Sequence, residues 1–403
     1  MSTILLIDVG STVIKLCTRS SDTGFGRVER VNRQPDLAPG EQVRQLIERR
    51  HTDGPIRVCS SAHGGLRLGI LGLTRRHSMM AAARAALDAG GNVHYQALLG
   101  ERPAEPLAEV DALVLVGGVD GADHRRLADA LADTKLADHP HGVLVWAGAD
   151  AAELLAELPE HRQVGNVLDR RLRPQPAGLA GLIGELYLDE LVDRKGLRAL
   201  TGLLDGPLWP TPTAVGLAAH RMSRRQLPIR CPAPFVVIDV GGATTDVYYC
   251  AELSDPSLPV GSSIRRQVYT DLGVAGSAAS LSARLASTPD LFELIAAIAP
   301  AAPRALHYAI ADSDPDVLAP PVGFLSCLFL ALCRLADQQR VDLAAAAGFL
   351  ITGGAWRGTS ASAINRVIAA ASRCQPELVP HVVLDQDYLL WAHGIASAGG
   401  QDG

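Results

Sequence analysis

The chain has 403 residues, a formal net charge of −6, 48% apolar residues and only 4% aromatics. That length accommodates two to three domains with substantial cores, built here mainly from Ala, Leu and Val. An acidic balance without a dominating Lys/Arg run argues against nucleic acid or an anionic membrane as the main partner.

The N-terminus enters a strand directly, without a basic n-region or cleavage site, so no signal peptide is expected and the protein is read as cytoplasmic. Residues 4–18, ILLIDVGSTVIKLCT, read as strand, tight turn and strand, with Gly10, Ser11 and Thr12 in the turn and Asp8 just before it. Glycine lets such a turn approach a ligand closely, which frees main-chain N–H groups and hydroxyls to surround an anion. Phosphate is the natural guest, and a carboxylate at the strand end could hold hydrated Mg²⁺ beside it. A third strand at 26–31 and a helix at 41–50 follow. The next strand ends in CSSAHGG. Cys59 stands there beside Ser60, Ser61 and His63, but no Gly-x-Ser-x-Gly elbow supports a nucleophile. The seven cysteines include no Cys-x-x-Cys pair and read as buried thiols, and the twelve histidines are dispersed, so no dedicated zinc site is expected.

After an Ala-rich helix near 79–89 the pattern changes. Strands at 93–99, 112–116, 142–146 and 163–168 alternate with helices at 122–134 and 150–158, which predicts a parallel α/β layer. The Gly-rich turn from Gly117 to Gly121 lacks the spacing of a dinucleotide fingerprint. Helices at 177–192 and 212–222 lead to a basic, Pro-rich link at 221–234, read as an interlobe boundary. Residues 236–250, VVIDVGGATTDVYYC, then repeat the opening hairpin, with Asp239 before Gly241, Gly242, Ala243, Thr244 and Thr245. A strand at 263–272 and a helix at 276–286 complete a second β-β-β-α unit. Two such units facing each other would grip a triphosphate from both sides. The longest strongly apolar helix expected, 323–333, falls far short of the roughly 20 residues of a membrane span. Near the end, a buried strand runs into Gly353 and Gly354, where a flat ring could lie on the backbone beneath Arg357. A last helix, 388–398, carries Gly394 among small residues suited to close packing.

In order, DVGST, DVGGATTD and ITGGAWRG resemble the two phosphate motifs and the adenosine motif of the actin, sugar kinase and heat-shock chaperone ATPase superfamily. Over nearly the whole chain, CSSAHGGL, VGGVDGA, WPTPTAV, DVGGATTDV and TDLG resemble one branch, the accessory proteins of glutamate mutase. That MutL family shares its name with a DNA mismatch-repair protein to which this sequence bears no likeness. The resemblance implies an α/β, actin-like ATPase fold: two duplicated RNase H-like lobes around a nucleotide cleft, with an inserted parallel α/β subdomain. It implies lobes at 1–91, completed by 385–403, and at 233–384, with the insert at 92–200 as partner surface and a connecting helix and linker at 201–232. It implies ATP/ADP and Mg²⁺ as cofactors. Gly10, Ser11, Thr12, Lys15, Gly241, Gly242, Thr244 and Thr245 would contact the phosphates, and Gly353, Gly354 and Arg357 the adenosine. Asp8 and Asp239 would hold Mg²⁺ through water and serve as the catalytic carboxylates, Asp239 by orienting or deprotonating water. Two departures stand out: Ala243 replaces a turn glycine, and Thr211 replaces the chaperones' glutamate before Pro-Thr and cannot act as a base, so hydrolysis is expected to be slow. The function implied is an ATP-driven reactivating chaperone for an adenosylcobalamin-dependent mutase. The alternatives are a small-molecule kinase, with Asp120 or Asp123 nominated as its base, and a nucleotide-gated scaffold.

Overall fold

The computed structural model describes residues 3–10, 13–21, 23–50, 54–61, 66–101, 109–119, 124–134, 142–148, 156, 158–200, 202–274, 281, 288–298 and 320–397. The chain forms two compact units, Met1–His63 with Gly196–Gly403, and Gly64–Lys195.

The first unit holds two sheets of the same design. In one, β1 (Thr3–Val9) pairs antiparallel with β2 (Val13–Ser20) and parallel with β5 (Ile56–Ser60). Beyond them, β3 (Gly24–Phe25) and β4 (Glu29–Asn32) pair with β2, and β11 (Trp209–Pro210) pairs parallel with β5. In the other, β12 (Phe235–Val240) pairs antiparallel with β13 (Thr245–Cys250) and parallel with β15 (Gly348–Thr352). The edges are β14 (Ile264–Tyr269), antiparallel to β13, and β16 (His381–Leu384), parallel to β15. Strand for strand, β1, β2, β4, β5 and β11 correspond to β12, β13, β14, β15 and β16 in order and sense. This is a duplicated RNase H-like arrangement, as the sequence resemblance implied. The central strands are buried on both faces, which is why VVIDV and GFLIT read as continuous apolar runs.

Helix α1 (Pro39–Arg50) follows β4, and α5 (Thr211–Ser223) follows β11. Further on come α6 (Pro289–Ile298), α7 (Pro320–Gln339), α8 (Ala361–Ala371) and α9 (Leu390–Ser397). The helix expected at 276–286 lies outside the described residues except at 281. Helix α7 corrects the expectation of a short helix at 323–333: it spans 20 residues. By length and composition alone it could cross a membrane, yet 67% of its apolar window is buried. Phe324, Leu328 and Leu332 sit in the same core as β12 and β15. Arg334 lies within this longer helix, and Asp271 accepts from its guanidinium at 2.8 and 2.9 Å. Helix α9 packs against α5, β1 and β5. There Gly394 lies so close to α5 that a Cβ would stand 1.9 Å from the Ala214 carbonyl oxygen.

The second unit carries one all-parallel sheet of β6 (Arg67–Gly72), β7 (Asn92–Leu98), β8 (Ala112–Val116), β9 (Val143–Ala147) and β10 (His161–Val164), in the order β10-β9-β8-β6-β7. Helices α2 (Met80–Asp88) and α3 (His124–Thr134) connect strands of this sheet and α4 (Ala177–Arg194) follows β10, with α2 preceded by a π-helical turn at Arg75–Met79. The parallel α/β layer is therefore present, but its unit starts at Gly64 rather than 92, because β6 pairs with β7 and β8 and not with the first sheet. Most of the helix expected at 150–158 lies outside the described residues.

Candidate functional site

Each hairpin turns in four residues. The Gly10 amide donates to the Val13 carbonyl at 3.1 Å, and the Gly241 amide to the Thr244 carbonyl at 2.9 Å. A Cβ on Gly10 would lie 2.6 Å from the Val13 oxygen, so the turn excludes a side chain there. Ser11 and Thr12 lie outside the described residues. The second turn is braced from behind by the TDLG stretch. The Thr245 hydroxyl donates to the Leu272 carbonyl at 2.6 Å, and the Val274 amide to the Gly241 carbonyl at 3.1 Å. A Cβ on Gly273 would fall 2.4 Å from the Ala243 carbonyl carbon. Thr245 is accordingly buried under the turn and does not line the cavity described next, unlike Gly241, Gly242 and Thr244.

Both turns open onto one cavity of about 430 Å³. Its walls include Asp8, Gly10 and Lys15 from the first hairpin and Asp239, Gly241, Gly242 and Thr244 from the second, with Gly354 from the turn after β15. Gly353 is not at the surface of the cavity. It sits beneath Asp239 with φ +86°, where a Cβ would meet the Asp239 Oδ1 at 2.5 Å. Arg357 is also outside the lining; its guanidinium donates to the Gln386 carbonyl at 3.0 Å. The lining residues not anticipated from sequence include Arg30, Asp246, Tyr248 and Tyr388. A four-residue turn sets residues seven apart directly opposite each other, so the spacing of Asp239 and Asp246 carried a signal for one of them.

The equivalent carboxylates differ in their surroundings. Asp8 lies opposite Lys15, and Asp239 opposite Asp246. Asp8 is 1% exposed and well supplied with donors: Lys15 Nζ at 2.6 Å, the Thr211 hydroxyl at 2.7 Å and the Cys59 thiol at 3.5 Å. Burial opposes the Lys15 charge, but Asp8, with Tyr388 and Asp239, outweighs it and holds the ammonium pKa above its usual value. Asp239, by contrast, accepts no hydrogen bond among the described residues. Burial, reinforced by Asp246, Asp8 and Asp385 and opposed by Lys15, pushes its pKa up to about 7. Asp246 is itself held by Arg266 at 2.6 and 2.8 Å.

Among the described residues no cluster of three His, Cys, Asp or Glu side chains could chelate a metal outright. A cation held largely through water and phosphate oxygens needs fewer protein ligands. Asp239, facing the cavity without a donor, suits that role; Asp8 already shares both oxygens with protein donors.

A family model described as MutL protein matches residues 4–298. A relative, Protein MutL of Clostridium tetanomorphum, is 30% identical over 324 aligned positions; the match covers 70% of this chain and 66% of the relative, just short of two-thirds of its length. Among solved structures, component A of the (R)-2-hydroxyglutaryl-CoA dehydratase of Acidaminococcus fermentans is 13% identical, covering 99% of this chain and 96% of that one at a TM-score of 0.37. A glycerol dehydratase reactivase is 11% identical, covering 98% and 99% at a TM-score of 0.39. A ROK family glucokinase of Streptomyces griseus is 11% identical, covering 98% and 97% at 0.35. The family rests on sequence rather than on these outlines: with residues 4–298 matched, well over half of its length, the chain belongs to the MutL protein family.

Proposed function

We propose that the chain is an ATP-dependent accessory protein that restores an adenosylcobalamin-dependent mutase of the glutamate mutase kind. The observation that carries this reading is the convergence of two equivalent glycine turns, each preceded by a carboxylate, on one cavity. Gly10, Gly241 and Gly242 would present backbone amides to the phosphate chain, and Gly354 would leave room for the adenine. Bound Mg²⁺ would offset the phosphate charge, held through water by Asp239 with Asp8 behind it. Asp239 would also orient the attacking water and take its proton, a task suited to a carboxylate whose pKa lies near neutrality. Nucleotide drives a partner only by binding the open and closed lobes unequally, and a coupling of ~1–3 kcal/mol suffices for a modest switch. The second unit, none of whose described residues lines the cavity, would carry the partner surface.

One observation favours a gated scaffold with little turnover: Thr211, in the position of the chaperones' glutamate, donates to Asp8 and offers no base. The test is to incubate the protein with Mg·ATP, fresh adenosylcobalamin and a mutase from the same organism inactivated with hydroxocobalamin. Recovery of mutase activity that depends on ATP is the expected outcome. Recovery with a non-hydrolysable analogue would favour the scaffold. No recovery, with ATP-dependent phosphorylation of a small metabolite, would replace the reading with a kinase.

A further inference from the structure

In the first lobe Asp8, Lys15 and Arg30 stand in one row across β1, β2 and β4, because Asp8 is registered with Lys15 and Lys15 with Arg30. The row holds one acid and two bases. Lys15 lies 2.6 Å from Asp8 and is largely buried, so its charge is answered within the protein. Arg30 lines the cavity and makes no ion pair among the described residues. The matching row of the second lobe reads Asp239, Asp246, Val268, so it has no counterpart to this cation.

Tyr388 fixes where Arg30 sits. Its backbone is left-handed, φ +59°, a conformation that costs a non-glycine residue energy and persists only where its surroundings impose it. Asp385 imposes it here: its carboxylate accepts from the Leu389 and Leu390 amides at 2.9 and 3.1 Å and from the Thr352 hydroxyl at 2.8 Å. The ring so placed has Lys15 Nζ 4.2 Å from its centroid and the Arg30 guanidinium carbon 5.2 Å away, both within cation–π range. Burial and then the charge of Arg357 hold the Arg30 pKa below its usual value. A cation that meets another cation and faces an open cavity is relieved by an anion.

We propose that Arg30, seated on Tyr388, binds the phosphate chain of the nucleotide from the first-lobe wall, the role that the sequence motifs assign to Lys15. This rests on the nucleotide reading above and adds to it a residue outside both glycine turns. Arg30 is exposed and unpaired among the described residues, so Arg30→Gln should fold, which equal thermal unfolding of the ligand-free proteins would verify. Calorimetric titrations of ATP and of inorganic tripolyphosphate into wild type, Arg30→Gln and Arg30→Lys test the assignment. Loss of one charge-assisted bond should weaken both ligands about tenfold to a hundredfold in Arg30→Gln. Arg30→Lys should stand between, since lysine restores the charge without the planar fork. Wild-type affinity retained in Arg30→Gln to within about twofold overturns the Arg30 assignment alone. A lysine variant no better than the glutamine variant overturns it too, because charge is then not what Arg30 supplies. Wild type that binds neither ligand overturns this proposal and the nucleotide reading together.

Discussion

Asp8 and Asp239 occupy the same position in two copies of one hairpin, and their neighbours give them different work. Asp8 is held by a lysine, a threonine and a thiol. Asp239 has no donor among the described residues and a pKa near 7. If Asp239 is the base proposed above, it works only when deprotonated, so ATP hydrolysis should rise with pH to a plateau above about 7, measured as phosphate release. Asp239→Asn should lower turnover by roughly 10²–10⁴-fold and flatten that profile. The same shift bears on stability in metal-free, nucleotide-free buffer. A carboxyl whose folded pKa exceeds its unfolded value binds more protons when folded, so its contribution falls as pH rises from about 4 to about 7. The Tm advantage of Asp239→Asn over wild type should therefore grow between acidic and alkaline scans. Thr211 makes a second case. Its hydroxyl bonds a charged, buried oxygen, and Thr211→Val should cost roughly 1.5–3 kcal/mol in urea unfolding. A cost near zero would mean that Lys15 and Cys59 suffice to hold Asp8.

Most elements of the first unit were legible in sequence because a strand buried on both faces and a glycine turn have strong local signatures. The hairpins at β1–β2 and β12–β13 carry both. What the local signal misjudged was the side on which Thr245 falls. With the turn closed at Thr244, Thr245 is the first residue of β13, and its hydroxyl bonds Leu272 rather than facing the cavity. Helix α9 shows the opposite case, where composition was sufficient: a run of small residues around Gly394 signalled contact, and α9 meets α5 there. Gly394→Ala would set a Cβ 1.9 Å from a backbone oxygen that no rotamer change can move. The two helices must then separate, at about 1–3 kcal/mol or more. Urea unfolding should show a lower midpoint with an unchanged slope. An unshifted midpoint would show that α9 can slide along α5 at no cost.

On the scale of the molecule, the doubling of the sheet was visible as a repeated sentence in the sequence, but the start of the second unit was not. No strand is read from sequence at 67–72, between the strand ending in CSSAHGG and the Ala-rich helix, so β6 falls inside the first lobe expected at 1–91. Its true partners, β7 and β8, lie on either side of it, and only the sheet order shows that it is central. Gly69 then has its own reason, since a Cβ there would stand 2.9 Å from Leu113 on β8. Arg30 and Tyr388 escaped notice for a related cause: they come together from a strand and a loop more than three hundred residues apart.

The copied hairpins have one further consequence. Their strand pairing and the hydrogen bonds that close them correspond, so these features alone would not tell a guest which way round to enter the cavity. The side chains break that symmetry, with an aspartate paired to lysine beside an arginine on one wall and two aspartates on the other. The cavity therefore has an electric direction as well as a shape. A molecule with a negative end and a metal ion at its side would be turned by that field before any contact forms.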